Sequence, residues 1–366
     1  MIPPQVLLII INFSIGLIIT ISLNIEVGLL NIPQFGRLLA VLMGALVAAA
    51  IPGRILAAMY GYPWGAEYAK DVVNYKIVPE LNRMLASNPL LSIGMLVLTL
   101  VLAAGLGGLV GYLCAYPALR LKETLGIVLL AFGDLAVTIA WNYEPLVGGT
   151  TGVFVVDPLA FVGPEWRFTL AALTTLSVSL LVYVYAELLV RSPYGRALKA
   201  ARDSEVAACV YGKDIVKLRK QVLIIGGAIA GLAGALWSFF TLSMKAYTYN
   251  RLQWTFWPWA FMMLGGTGNN LGVLVGVLLY TIARYLIIVY KGAISTLIGI
   301  SPEWLEYILV GGVIVAVVLF RPQGLLPEKP TYTLPRERIV SIIQSIEKES
   351  TSPPHPTQLR EGESKT

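Results

Sequence analysis

Residues 5–25 read QVLLIIINFSIGLIITISLNI, a run without a lysine, arginine, aspartate or glutamate. At a rise of about 1.5 Å per residue, a helix of this length spans about 30 Å, the thickness of a bilayer's hydrocarbon core. Inside lipid a helix satisfies its own backbone polar groups, which an irregular segment cannot do. Working outward, comparable runs occur near 37–59, 90–117, 124–142, 168–190, 220–243, 271–290 and 303–320. A shorter ninth run, 256–270, ends in Leu264-Gly265-Gly266-Thr267-Gly268. These runs are continuous rather than alternating, so the expected fold is an all-α polytopic membrane bundle of about nine crossings, not a β-barrel.

Composition agrees. The 366 residues are 57% hydrophobic and only 13% charged, against about 25% charged in a soluble domain. The mean hydropathy is +0.74. Cys114 and Cys209 are the only cysteines, which excludes a disulfide scaffold or a cysteine-rich metal cluster. The single histidine, His355, sits in a polar tail, so a histidine triad, a multi-histidine metal site and a haem ligand in the body are excluded. No cofactor or metal is expected, and no nucleic-acid partner.

Positive charge sets the expected orientation. The stretch 191–220 carries eight basic residues against Asp203, Glu205 and Asp214, which reads as a cytoplasmic loop. Arg120 and Lys122 agree, while 143–167, with one arginine and three acids, reads as external. No lysine or arginine precedes Arg37, so the N-terminus is expected outside and the C-terminus inside, beside Arg321. Residues 1–326 form the expected membrane domain and 327–366 a cytoplasmic, partly disordered tail. Within that tail Ile339, Val340, Ile342, Ile343 and Ile346 share one helical face. Gly107 with Gly111, Gly227 with Gly231, and Gly272 with Gly276 fall four apart, the spacing that lets helix backbones approach closely.

The 191–219 loop is patterned. Pro193 ends one crossing, residues 195–202 resume a helical composition, and residues 204–211 form a second helical stretch that Gly212 caps. This loop resembles the coupling loop of ABC importer permeases, in particular the LivM-type branched-chain amino acid permeases. Gly195 to Ala200, Glu205, Ala207, Ala208 and Gly212 match that pattern in order. Three other stretches resemble the same family: Phe132-Gly133-Asp134 followed by Gly148-Gly149-Thr150-Thr151-Gly152; Leu264 to Gly268 with Gly272 and Gly276; and Phe320-Arg321-Pro322-Gln323-Gly324-Leu325. Asp134 stands where glutamate is expected, Val147 for threonine, Val273 for proline and Val277 for alanine, departures that bear on the solute more than on the family.

The resemblance implies a transport subunit, not an enzyme. It would form half of a pathway with a second permease, in a plasma membrane, served by an extracytoplasmic solute-binding protein. ABC ATPase subunits would grip the coupling loop, at Gly195, Arg196, Ala197, Arg202, Glu205, Ala207, Ala208 and Gly212. The chain has no Gly-x-x-x-x-Gly-Lys-Ser/Thr loop, so ATP would be hydrolysed by a partner.

Asp134, Thr138 and Asn142 recur at i, i+4 and i+8 and share one helix face. Polar groups inside the bilayer are costly and normally face a bundle interior or a water-filled path, so this face is either a pathway wall or a helix–helix polar cluster. Asn12, Asn24 and Arg284 pose the same question. Gly148, Gly149, Thr150 and Thr151 read equally as a turn that offers amides to a carboxylate or as a simple turn. Trp254, Trp257 and Trp259 read as an interfacial belt. Two other functions stay open: a permease for urea, short amides or another small polar solute, and an ion-driven secondary transporter using Asp134. An intramembrane enzyme would need a partner for Asp134 or Glu187 that the sequence does not offer.

Overall fold

Proline and small polar caps set most helix starts. In the computed structural model, which describes residues 3–59, 61, 66–121, 124–298, 304, 307, 308, 311, 312, 315, 316, 319, 320, 323–328 and 336–351, α1 (Pro4–Leu23) opens on proline and continues as a π-helical turn, Asn24–Gly28. A proline in the first turn needs no amide hydrogen there. Then follow α2 (Arg37–Met59), α3 (Ala66–Ala69), α4 (Asp71–Ser87), α5 (Pro89–Arg120), α6 (Leu125–Asn142) and α7 (Glu144–Val147). Strand β1 (Val153–Phe154) leads to α8 (Pro164–Arg191), α9 (Pro193–Asp203), α10 (Glu205–Val210) and α11 (Ile215–Thr241). Strand β2 (Ser243–Met244) pairs antiparallel with β1. A π-helical turn, Leu252–Phe256, enters α12 (Trp257–Gly265), and α13 (Asn270–Ile298) follows. Residues 329–366 form a separate unit that contains helix Arg336–Thr351.

Six of these helices are long and apolar enough to cross a membrane: α1 with its π-turn, α2, α5, α6, α8 and α11. A seventh is added if Leu252–Gly265 and Asn270–Leu286, bent by 116°, count as one span. The expected nine crossings are therefore not reached among the described residues. The run 256–270 holds a helix of only 9 residues, which covers about half the hydrocarbon thickness. Gly266 and Gly268, with φ of +124° and +82°, end it. Most of 303–320 lies outside the described residues.

In α2 and α11, 72% of the apolar window is buried, against 28% in α5, α6 and α8. The first two are the centre and the other three carry outward faces. Glycine makes this centre possible. A Cβ on Gly44 would lie 1.9 Å from the Gly231 carbonyl oxygen, and one on Gly234 1.9 Å from that of Val41. Along α5, Gly107 and Gly227 each press on the other's carbonyl at 2.3 Å, and Gly111 meets Leu223 O at 2.0 Å. The backbones of α2, α5 and α11 touch directly, and the Gly107–Gly111 and Gly227–Gly231 spacings read from the sequence lie in this seam, whereas Gly272 and Gly276 bring α13 against Gly265 and Phe261 of α12.

At the end of the bundle where β1 meets β2, the strand end, α4 lies across the residues after the strand. The Asn74 side chain accepts from Phe154 N at 2.7 Å and Asn82 accepts from Asp157 N at 2.9 Å, while Asp157 pairs with Arg167. The opposite end, the loop end, carries α9 and α10. The segment 252–268 runs between them: Trp254 packs on Trp237 near the top of α11, and Gly268 lies against Arg202 and Glu328.

Gly44→Val is expected to separate α2 from α11 and lower the melting temperature of the detergent-solubilised chain, an overpacking cost of about 1–3 kcal/mol. Gly105→Val, at a site with no heavy atom within 4 Å of the new Cβ, should leave it unchanged. Equal melting curves for both variants would contradict the seam.

Candidate functional site

The 191–219 loop is held by its own side chains. Ser192 accepts from Gly195 N to start α9, Ser204 accepts from Ala207 N to start α10, and Asp214 accepts from Lys217 N to start α11. These are N-caps, each satisfying an amide the helix leaves free. Gly195 is buried, and a Cβ there would sit 2.3 Å from Leu189 O. Ala208, Leu198 and Ala201 turn inward, and burial pushes the Tyr194 phenol up to about 12. Gly212 takes φ of +73° with open space around it, the left-handed stop after α10. Glu205 pairs with Arg219 of α11 and pins α10 to the bundle. Among the exposed polar residues of the loop stand three bare hydrophobic ones: Val206, Val210 and Tyr211 are 77%, 80% and 83% exposed. Arg196 and Ala207 share this outer surface, and Ala197 is half-buried.

Arg202, expected among the ATPase-facing residues, points inward instead. Its Nη1 donates to Gly28 O and to Glu328 Oε2, both at 2.7 Å, and its Nε to Asp203 Oδ1 at 3.0 Å. Lys199 reaches the other oxygen of Glu328 at 2.6 Å. Burial works against the charge of Arg202, but Glu328 and Asp203 more than offset it and hold its pKa above the ordinary arginine value.

Around this clamp, stretches far apart in sequence meet. Gly268 N donates to Asn24 Oδ1 at 2.8 Å, Asn24 Nδ2 to Asn270 Oδ1 at 3.0 Å, and Asn270 Nδ2 to Glu187 Oε2 at 3.3 Å. Leu325 N and Leu326 N donate to Leu264 O and Gly265 O. Gly324, at φ of +76°, presses on Gly266 Cα, where a Cβ would lie 2.5 Å away. The glycine-rich turn, the Gly324-Leu325 end of the last motif and α9 are therefore one cluster; Arg321 and Pro322 lie outside the described residues. Arg284, also raised in the sequence reading, lies higher on α13 with its guanidinium over the Trp257 ring.

Next to this cluster the bundle buries an ion pair. Glu26 in the π-turn and Arg37 at the start of α2 are 0% and 1% exposed, with Glu26 Oε2 2.6 Å from Arg37 Nη2 but misaligned for a hydrogen bond. Gly226 of α11 makes room, since a Cβ there would lie 1.9 Å from Glu26 Oε1. The sequence reading passed over this pair. Its signal was a single acid, Glu26, in the apolar first 36 residues, followed by the first base, Arg37.

The other expected sites fall differently. Asp134 forms an ion pair with Arg251 at 3.1 Å, and both are about half exposed. Thr138 donates to Asp134 O and Asn142 to Thr138 O, so both hydroxyl and amide serve their own helix. This face of α6 is open in the single chain. Gly148, Gly149 and Gly152 all have positive φ, and a Cβ on Gly152 would meet Met244 O at 2.4 Å. The glycines therefore shape the turn into β1, where Thr151 donates to Gly148 O and Thr150 is exposed. The tryptophans do not form an interfacial belt. Trp254 and Trp257 are buried, and Trp259 stacks on Phe35 at 4.6 Å and donates to Gln34 O.

The class of this bundle is given by its sequence relatives. The chain belongs to the family described as branched-chain amino acid transport system / permease component, whose model matches residues 5–318. It is 38% identical over 338 residues to the "Probable branched-chain amino acid transport permease protein LivM" of Methanocaldococcus jannaschii, covering 90% of this chain and 96% of that one. It is 26% identical over 257 residues to the "High-affinity branched-chain amino acid transport system permease protein LivM" of Salmonella typhimurium, covering 62% of this chain and 56% of that one. A LivH permease of M. jannaschii is 27% identical over 226 residues, 60% of this chain and 69% of that one. No solved structure matches.

Glu26→Gln should destabilise the chain by about 3–5 kcal/mol, because it strands the Arg37 charge, whereas Glu26→Gln with Arg37→Met should recover most of that loss. A double-mutant cycle on detergent melting curves measures the difference; a double variant as unstable as the single would show that the pair is not the source.

Proposed function

We propose that the chain is the transmembrane permease subunit of an ATP-driven importer for branched-chain amino acids. The observation that carries this reading is the bare apolar tip of α10, Val206, Val210 and Tyr211, on a loop otherwise fixed to the bundle by ion pairs. Exposed apolar side chains on a basic loop fit a partner protein better than water. ABC ATPase subunits would seat on this tip and on Gly195, Arg196, Ala197, Glu205, Ala207, Ala208 and Gly212, with Arg202 acting from behind. ATP hydrolysis belongs to those subunits. The excess of lysine and arginine in 191–220 supports a cytoplasmic loop end, an outer N-terminus and an inner C-terminus. A solute-binding protein would then dock at the strand end.

The α6 face supports a second permease. An ion pair left facing lipid would be costly, so Asp134, Arg251, Thr138 and Asn142 belong against a partner or a water-filled pathway. The likeness to both LivM and LivH permeases supports two related subunits side by side. Motion would pass from α10 through α9 and the Arg202–Glu328 clamp to the π-turn of α1 and the α12–α13 turn. Such a transition needs two packed arrangements that ATP biases through a rigid contact.

Co-reconstitution with ABC ATPase subunits, a second permease of this family and a solute-binding protein from the same organism should give leucine uptake that requires ATP and stops with vanadate. Val210→Asp should abolish uptake and release the ATPases while the chain still reaches the membrane. Uptake that ignores ATP and collapses with an ion gradient would overturn the reading.

A further inference from the structure

Between α5 and α6 the bundle leaves a groove of about 540 Å³, floored by Leu39 and Met43 of α2 and by Cys114. That is the volume of a ligand site rather than of a packing gap. Close packing on either side creates it. Gly107 and Gly111 draw α5 onto α11, while Gly36 and Gly126 seat α6: a Cβ on Gly36 would lie 2.7 Å from Leu129 Cβ, and one on Gly126 2.7 Å from the Phe35 ring. Each helix is fixed to the core, and along the groove their facing sides stand apart.

Chemistry and shape select the occupant. None of the described lining residues is charged, and the only side-chain heteroatoms among them are the sulfurs of Met43 and Cys114. Water or a polar solute would find no partners there. Along α5 the groove runs from Leu121 at the loop end to Val110, and along α6 from Val128 to Ile139. Either path is about 16 Å, close to half of the roughly 30 Å hydrocarbon thickness. Spread over that length, the volume leaves a width of about 6 Å, against about 10 Å for a helix with its side chains. A neighbouring helix is too wide to enter, whereas a single extended hydrocarbon chain fits. The face of Asp134, Thr138 and Asn142 lies about a quarter-turn round α6, outside the groove, so a partner against that face need not fill it.

Positive charge stands at the mouth. Arg120 is exposed in the last turn of α5, next to Leu121. Lys122 and Glu123 follow in sequence, and Lys220 of α11 lies over the Tyr116 ring one turn earlier. This end of α5 is net positive, at the depth where basic side chains meet lipid headgroups. We propose that the groove binds one chain of an anionic membrane lipid, whose phosphate lies beside Arg120. The choice of the cytoplasmic leaflet rests on the orientation given above; the lipid site does not.

The full chain is reconstituted into phosphatidylcholine vesicles doped with phosphatidylglycerol that carries a diazirine near the end of one acyl chain, then irradiated, and the labelled peptides are mapped. Label is expected at the inner end of the groove, near Val110 and Ile139, and excess unlabelled phosphatidylglycerol should remove it. Ala136→Trp, which puts an indole into the groove, should cut this labelling by about fivefold or more. Leu181→Trp, at a 69% exposed site on α8, should leave it unchanged. Arg120→Gln should reduce the preference for phosphatidylglycerol over a diazirine phosphatidylcholine by about fivefold, the worth of one interfacial arginine. It leaves the apolar walls intact and keeps the test decisive should Ala136→Trp fail to fold. Label spread evenly over α5, α6 and α8, or unaltered in Ala136→Trp, overturns the proposal, and an unchanged preference in Arg120→Gln overturns the anionic head. Label that vanishes when a second permease is co-reconstituted gives the groove to that protein and overturns the proposal as well. ATP-driven leucine uptake is read separately, so failure of the lipid site leaves the importer reading standing.

Discussion

The guanidinium of Arg202 joins three parts of the chain that lie far apart in sequence: its own helix α9, the carbonyl of Gly28 at the end of the first crossing, and Glu328. Helices broken near apolar surroundings expose carbonyls and amides that lipid cannot satisfy. At the loop end two such breaks, the π-turn after α1 and the turn between α12 and α13, lie side by side. Their polar groups are met by Arg202, Asn24, Asn270 and the backbone of Leu325 and Leu326. The loop that carries α9 and α10 is thus part of what keeps the broken helices satisfied, and cannot shift without disturbing them.

Glycine and charge divide the interior between them. Where α2, α5 and α11 cross, carbonyls stand so close to the facing helix that a Cβ would collide, and close backbone packing replaces side-chain interdigitation. Immediately below, Gly226 opens the space that Glu26 fills, and Arg37 closes it. A buried pair of this kind is weak evidence for stability, because desolvation offsets much of its attraction. It does fix where the first helix ends and the second begins, since either charge alone would be stranded.

Much was legible in advance. Six of the apolar runs named crossing helices, the Gly107–Gly111 and Gly227–Gly231 spacings named the seam, and Pro193 and Gly212 bracketed the short helices α9 and α10. Arg202 was legible as a site residue but not in its direction: an arginine on a basic loop reads as outward, and only the fold brings Glu328 to it. The 256–270 run was ambiguous for a similar reason, being apolar enough to cross but interrupted by glycines with positive φ. Glu26–Arg37 was missed because its members sit on opposite sides of a helix break, where no periodicity links them. Residues 71–87 form an amphipathic helix that pairs with the strand-end loops through Asn74 and Asn82, contacts set by partners some 75 to 80 positions away.

The tryptophans mark the boundary between the two kinds of information. Hydropathy measures how strongly a segment avoids water, and lipid tails and a protein interior satisfy that avoidance about equally. By itself the sequence determined that these segments leave water, that they do so as helices, and that a basic, capped loop stays outside. Whether Trp254 and Trp257 face lipid or a cavity, whether Asp134 meets Arg251, and which side of α9 turns inward were decided only when the helices packed, because those choices depend on distances between residues that sequence order keeps apart.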